Sequence, residues 1–390
     1  MRTHIWLLAA ALVHGVALAQ PAAGPAETAT RAALERADRI DPKVNSILAL
    51  NPKALEEAQR LDRIRRARGP LFGLPIVVKD NVDVAGPWPT TAGSRALVGN
   101  VTNRDAPVVA RLRRAGVVIL GKANLSEWAN FRSSDSISGW SSVAGQTRNP
   151  NALDRNPCGS SSGSGAAVGA GIVDAAVGTE TNGSIICPSS VNGIVGLKPT
   201  VGLVSRTHIV PISASQDTAG PMAKDVRTAA LLLTAMAGSD PADPATAGAD
   251  KQVQDYAGGL ETASLKGVRI GVLRWATGWS TPVDAAFERA LETLRSEGAV
   301  LVDVKEAPDR RAMSEAEFQV LLTEFKAGVN GYLATTPAAV KTRTLADVIA
   351  FNKSDSARSL GLFGQDLLEK AEATKGLDDA AYLAARAQSL

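Results

Sequence analysis

Apolar positions along the chain alternate between two spacings, one of three to four residues and one contiguous. From residue 21 to 68 the apolar residues recur at helical spacing among Ala, Glu and Arg, as in Thr30 to Ile40 and Pro52 to Arg66, which predicts two surface helices. Gly69-Pro70 ends that pattern, and the β-branched run Leu74 to Asp80 predicts a buried strand with Lys79 near its end. Helices are then predicted at Asp105 to Ala115, Gly163 to Gly171, Asp225 to Ala237 and Asp284 to Glu297. Strands are predicted at Val117 to Leu120, Ala175 to Thr179, Val268 to Leu273 and Val300 to Val304. Regular alternation of the two element types is the mark of an α/β fold. Gly238 to Gly248 reads as a polar loop, and Glu315 to Leu390 as mostly helical. That last stretch reaches Leu390 without a Gly cap or stop signal, so the chain reads as cut short at its C-terminal end.

The first residues carry a different pattern. Arg2 precedes an apolar run from Trp6 to Ala19 that ends in Ala17-Leu18-Ala19, the layout of a secretory signal peptide over 1–19, with one folded domain over 20–390. The run is shorter than the about 20 apolar residues of a membrane span. A periplasmic or secreted protein is expected, with no membrane association once the signal is removed. The net charge is +3, or +2 without Arg2, and no basic patch points to nucleic acid. With 390 residues, 45% apolar and 21% charged, the chain is long enough for a large core. A small molecule or a peptide is the expected partner.

Two cysteines, Cys158 and Cys187, are too few for a disulfide framework and lack metal-type spacing. They read first as two buried free thiols, with pairing as the alternative in an oxidising compartment. Beyond the signal the sole histidine is His208, which argues against a His-rich metal site. No metal or organic cofactor is expected.

Gly159-Ser-Ser-Ser-Gly-Ser-Gly165 is the most unusual segment. A flexible linker fits poorly, because the segment opens directly into the apolar Ala166 to Ile172. A nucleophile elbow centred on Ser161 matches G-x-S-x-G, but the preceding Arg148 to Pro157 is loop rather than strand, and His208 is the only available base. A phosphate loop lacks the Gly-Lys-Ser/Thr ending. The remaining reading uses lysine as base: burial removes solvation from the ammonium and favours the neutral amine, and Lys79 stands where that can happen. A structural Lys79 paired with Asp80 or Asp83 is the alternative.

The segments Pro157 to Val168, Val177 to Ile185 and Gly193 to Thr200 together resemble the signature of the amidase signature family. Gly73 to Asn81, Thr90 to Ser94, Gly121 to Asn130 and Gln216 to Pro221 are similar to that family as well, in the same order. The resemblance implies an α/β/α sandwich around a mixed sheet. It further implies catalysis by Lys79, by Ser160 as a bridging serine after a cis peptide, and by Ser184 as nucleophile. Backbone N–H groups of Thr181, Asn182, Gly183 and Ser184 are implied as the oxyanion hole, and Asn130 and Phe131 fall where relatives line the acyl pocket, although plain packing serves these two equally well. Asp217 and Thr218 are read as bracing the core around the site. Many relatives have arginine two residues after the nucleophile, where this chain has Ile186. In this and in Gly178 to Pro188, Val201 to Arg206 and Ile209 to Ser213 the chain is most similar to bacterial peptide amidases, which release ammonia from C-terminal peptide amides. An amidase for small aliphatic or aryl amides is the rival reading, and a catalytically dead binding protein the other.

Overall fold

The computed structural model describes residues 23–64 and 69–389; the expected signal peptide lies outside them. Helix α1 (Pro25–Val44), strand β1 (Ile47–Leu50) and helix α2 (Ala54–Asp62) precede strand β2 (Pro75–Lys79). Helix α3 (Pro107–Arg114) leads into β3 (Val118–Ala123), followed by the two-residue pair β4 (Trp140–Ser141) and β5 (Gly145–Gln146). Then come α4 (Ser162–Gly169), β6 (Ala175–Glu180), α5 (Ile186–Asn192), β7 (Val195–Gly196), β8 (Thr218–Ala223) and α6 (Val226–Met236). A separate unit of β9 (Arg269–Leu273), α7 (Thr281–Ser296) and β10 (Val300–Val304) follows, and the tail is helical: α8 (Arg310–Ala334), α9 (Leu345–Ser354), α10 (Ser356–Ser359), α11 (Asp366–Glu372) and α12 (Ala380–Gln388).

The main sheet has six strands in the order β1-β3-β2-β6-β8-β7. It is mixed: β2 runs parallel to both β3 and β6, whereas β1, β7 and β8 pair antiparallel to their neighbours. Strands β2, β3, β6 and β8 are buried along their whole length, as strands covered on both faces must be. Side chains alternate between those faces. Val77, Val118, Leu120 and Ala176 pack with residues of α1, α2 and α4, and Ile76, Val78, Ile119 and Val177 pack with α3 and α6 on the other side. The expected α/β/α sandwich around a mixed sheet is therefore what the chain forms.

Three strands of the main sheet escape the hydrophobic pattern. β1 is three half-buried residues and the exposed Leu50 between two helices, held by its pairing with β3. β8 contains Gly220-Pro221, which reads locally as a turn, yet it pairs with β6 over six residues. β7 has only two residues and exists through β8.

A third core joins the sheet to the tail. Phe325, Val329, Leu333, Leu345, Val348 and Leu368 of the tail helices pack against Leu97, Trp128 and Phe131. The buried guanidinium of Arg132 fastens this junction. It pairs with Glu127 at 3.1 Å, donates to the carbonyls of Ser359 and Phe363 at 2.5 and 2.9 Å, and stacks 3.9 Å from the Phe363 ring centroid.

Helix α4 begins inside the Gly/Ser-rich segment, and its approach to the sheet explains part of that composition. A Cβ on Gly163 would stand 2.2 Å from the Ser46 carbonyl oxygen and 2.5 Å from that of Asn124, while the Gly163 N–H donates to Asn124 O at 2.8 Å. Both neighbours are backbone and have nowhere to go. Gly163→Ala is expected to lower unfolding free energy by about 1–3 kcal/mol, the usual cost of overpacking, read from urea denaturation.

Candidate active site

Lys79 is the last residue of β2 and, two residues after Val77, shares the face that α4 covers. It is completely buried. Its Nζ lies 2.7 Å from Ser160 Oγ, 2.8 Å from Thr179 Oγ1 and 3.1 Å from Thr179 O. The carboxylates that would have made it a structural cation are taken by others. Asp80 pairs with Lys122 at 2.9 Å in a fully buried ion pair, and Asp83 pairs with Arg104 at 2.7 Å and accepts from Tyr332 Oη at 2.7 Å. Burial thus lowers the Lys79 pKa from 10.5 to about 7, opposed by the negative charges of Asp217 and Glu180. Such a shift corresponds to roughly 5 kcal/mol of preference against the ammonium. A neutral amine has two hydrogens and one lone pair. With the hydrogens directed to Thr179 O and Oγ1, the lone pair faces the Ser160 hydroxyl and can take its proton.

The Gly159–Ser160 peptide is cis, and Ser160 is fully buried. The serines that follow stitch α4 to the strand beside it. Ser161 Oγ donates to Thr179 O and accepts from Thr179 N, at 3.1 and 3.2 Å, and Ser164 Oγ donates to Val177 O at 2.9 Å. A fully buried Ser161 engaged in this way is no nucleophile, and the elbow reading falls with it.

Ser184 stands in the turn between β6 and α5, and its carbonyl accepts the Ser161 N–H at 3.1 Å, which brings the turn against the segment that carries Ser160. Of the three residues it alone keeps access to the outside, through 7% of its surface. Glu180 organises the turn: its carboxylate accepts the N–H groups of Gly183, Ile185 and Ile186 at 2.9, 2.7 and 2.9 Å. One oxyanion expectation is thereby corrected, because the Gly183 N–H is committed to Glu180, which leaves Thr181, Asn182 and Ser184 from the implied set. Gly183 has φ +84° with nothing within 4 Å of an added Cβ, so backbone conformation, not space, demands glycine there. Thr179 was not singled out from the sequence, and Glu180 entered there only as a candidate acid for the elbow, not as the anchor of this turn. An acidic residue just ahead of a short helix is the signal that was available for that anchoring role.

The two cysteines are another correction. Cys158 and Cys187 are not free thiols but a disulfide, with Cα atoms 5.9 Å apart, because the turn that carries Ser184 docks on the segment that carries Ser160.

A cavity of about 310 Å³ opens beside these residues, lined by Thr179 and Thr181, by Val210 and Ile212, and by Gly331 and Tyr332 of α8. Asp217 lies on its edge and acts as a brace: it accepts from Thr181 Oγ1 at 2.5 Å and from the N–H groups of Ile212 and Ser213 at 2.8 and 3.0 Å. Burial raises its pKa, and these donors oppose the rise. His208 also lines the cavity, where burial and the Arg104 charge lower its pKa. Phe131 does not line it; its ring packs 4.9 Å from that of Phe325 in the third core. Asn130, in the left-handed region with φ +69°, donates to Ser138 Oγ at 3.2 Å, and its neighbour Ala129 is the one that reaches the cavity.

Comparison with known proteins gives a consistent picture. A family model described as Amidase matches residues 28–389. A protein of Arabidopsis thaliana named a probable amidase is 40% identical over 358 residues, covering 89% of this chain and 68% of its own length. The peptide amidase of Stenotrophomonas maltophilia has a crystal structure that superimposes with a TM-score of 0.88 at 52% identity, over 93% of this chain and 75% of the other. A peptide amidase in complex with the competitive inhibitor chymostatin gives 0.89 at the same identity and coverage. The chain spans 46% and 58% of the length of relatives from Arthroderma benhamiae and Schizosaccharomyces pombe.

The protonation argument fixes a pH dependence. Because the amine is neutral only above about 7, the rate at which a fluorophosphonate labels Ser184 is expected to fall tenfold per pH unit below that value and to level off above it. Labelling rates across pH 5 to 9, with peptide mapping of the adduct, check both the profile and the residue.

Proposed function

The chain belongs to the amidase family, and from that premise we propose that it is a serine amidohydrolase that releases ammonia from C-terminal peptide amides through Lys79, Ser160 and Ser184. The observation that carries this reading is the buried, carboxylate-free Lys79 with its Nζ 2.7 Å from Ser160 Oγ. Neutral Lys79 accepts the Ser160 proton as Ser160 accepts that of Ser184, and Ser184 Oγ attacks the amide carbonyl. The negative oxygen of the tetrahedral intermediate is met by N–H groups of Thr181, Asn182 and Ser184. The proton returns along the same relay to the departing nitrogen, ammonia leaves, and water then cleaves the acyl-enzyme.

Similarity to peptide amidases at 52% identity supports a peptide amide as substrate, and the apolar character of Val210, Pro211 and Ile212 beside the site supports an uncharged acyl side chain. Ile186 supplies no charge where an arginine would. The mature protein is proposed to work in the periplasm or outside the cell, a reading the Cys158–Cys187 bond supports, since such bonds are rare where glutathione keeps thiols reduced.

Ser184→Ala and Lys79→Ala are each expected to cut ammonia release by about 10²- to 10⁴-fold or more, the scale of acid–base and nucleophilic contributions. His208→Ala should retain most of the activity, and a comparable loss there would sink the lysine-based relay. An amidated dipeptide is expected to exceed a simple aliphatic amide in kcat/KM by roughly 10- to 100-fold, the scale of a few apolar pocket contacts.

A further inference from the structure

The relay just described needs two serines from different segments held in register, and three links outside the reacting atoms tie those segments together. The Ser161 N–H donates to Ser184 O at 3.1 Å, and Asn192 Nδ2 donates to Pro157 O at 2.9 Å. The third is the Cys158–Cys187 bond, the one covalent link between the segments among the described residues.

Its placement is specific to the site. Cys158 stands two residues before Ser160 and Cys187 three after Ser184. On one side, Cys158 is held with φ +57°, its N–H donating to Asn156 Oδ1 at 2.9 Å and its carbonyl accepting from Ser162 Oγ at 2.7 Å. On the other, the Cys187 N–H donates to Gly183 O at 2.8 Å and so closes the turn that contains Ser184. A shift of Cys187 therefore moves the nucleophile's turn, and a shift of Cys158 moves the segment that leads into the bridging serine.

We infer that Cys158 and Cys187 are a positioning pair, whose bond keeps Ser184 against Ser160 and whose reduction by a dithiol uncouples the nucleophile from its proton relay. The inference rests on the proposed roles of those two serines. Reduction breaks the S–S bond and forms two cysteine thiols; the dithiol supplies two electrons and two protons and ends as its own disulfide. Both cysteines are only half-buried and residues 153–156 beside Cys158 are exposed, so a dissolved dithiol can reach the bond.

The test follows the full chain before and after dithiothreitol, with thiols counted by titration. Thiols are expected to rise from none to two per chain while kcat on an amidated dipeptide falls by about 10²-fold, the effect of misplacing reacting groups by roughly 1 Å. KM should stay within about twofold, as expected when only transition-state alignment is lost. Ser184 labelling by a fluorophosphonate should slow in parallel, and reoxidation should restore both. A Cys158→Ala/Cys187→Ala double variant should match the reduced protein and ignore the dithiol. Unchanged kcat with two titratable thiols would overturn the inference, and so would loss of far-UV circular dichroism together with activity, which would make the bond a plain stabiliser. Oxidised protein that neither turns over an amide nor labels at Ser184 would instead refute the amidohydrolase reading itself.

Discussion

Burial of a lysine without a carboxylate partner is the constraint from which the rest of the site follows. An ammonium in the interior is costly, and a nearby Asp or Glu normally relieves the cost. Here Asp80 and Asp83 adjoin Lys79 in sequence yet are consumed by Lys122, Arg104 and Tyr332. The fold thus places one fully buried ion pair and one partly exposed ion pair beside Lys79 and none on it. Lys79 Nζ instead sits within hydrogen-bond distance of Thr179 O, Thr179 Oγ1 and Ser160 Oγ, all uncharged oxygens. The nearby negative charges of Asp217 and Glu180 are engaged by N–H and hydroxyl donors, which leaves desolvation the larger influence.

Much of this architecture was legible in the order of residues, for physical reasons that differ by element. β2, β3 and β6 are buried on both faces and so carry contiguous apolar runs, while α3, α6 and α7 show helical spacing. β1, β7 and β8 have no such mark because pairing partners, not their own side chains, make them strands. Lys79, Ser160 and Ser184 were reachable through the resemblance of long motifs, and the geometry between Lys79 and Ser160 is consistent with it. Thr179 and Glu180 were not, since their roles depend on which backbone groups the folded turn presents. The disulfide was open in the sequence as the alternative to free thiols: 29 residues separate its cysteines, and the docking of two loops is what makes them neighbours.

The Gly/Ser-rich segment illustrates how one composition serves several demands at once. Gly163 yields space to two carbonyl oxygens, Ser161 and Ser164 tie α4 to β6, and Ser160 alone faces the amine. Reading the segment as a uniform motif hides this division, because each residue answers to a different neighbour.

Helix α8 has a consequence of its own. It packs Phe325, Val329 and Leu333 into the third core and turns Gly331 to the cavity, where an added Cβ would meet nothing within 4 Å. The shape of the cavity is therefore set partly from the tail of the chain, whereas the lysine and both serines belong to the sheet and its loops. One wall of the cavity is thus cast by helix packing far along the chain, and a position of α8 outside the third core, such as Gly331, can reshape that wall without loosening the junction beneath it.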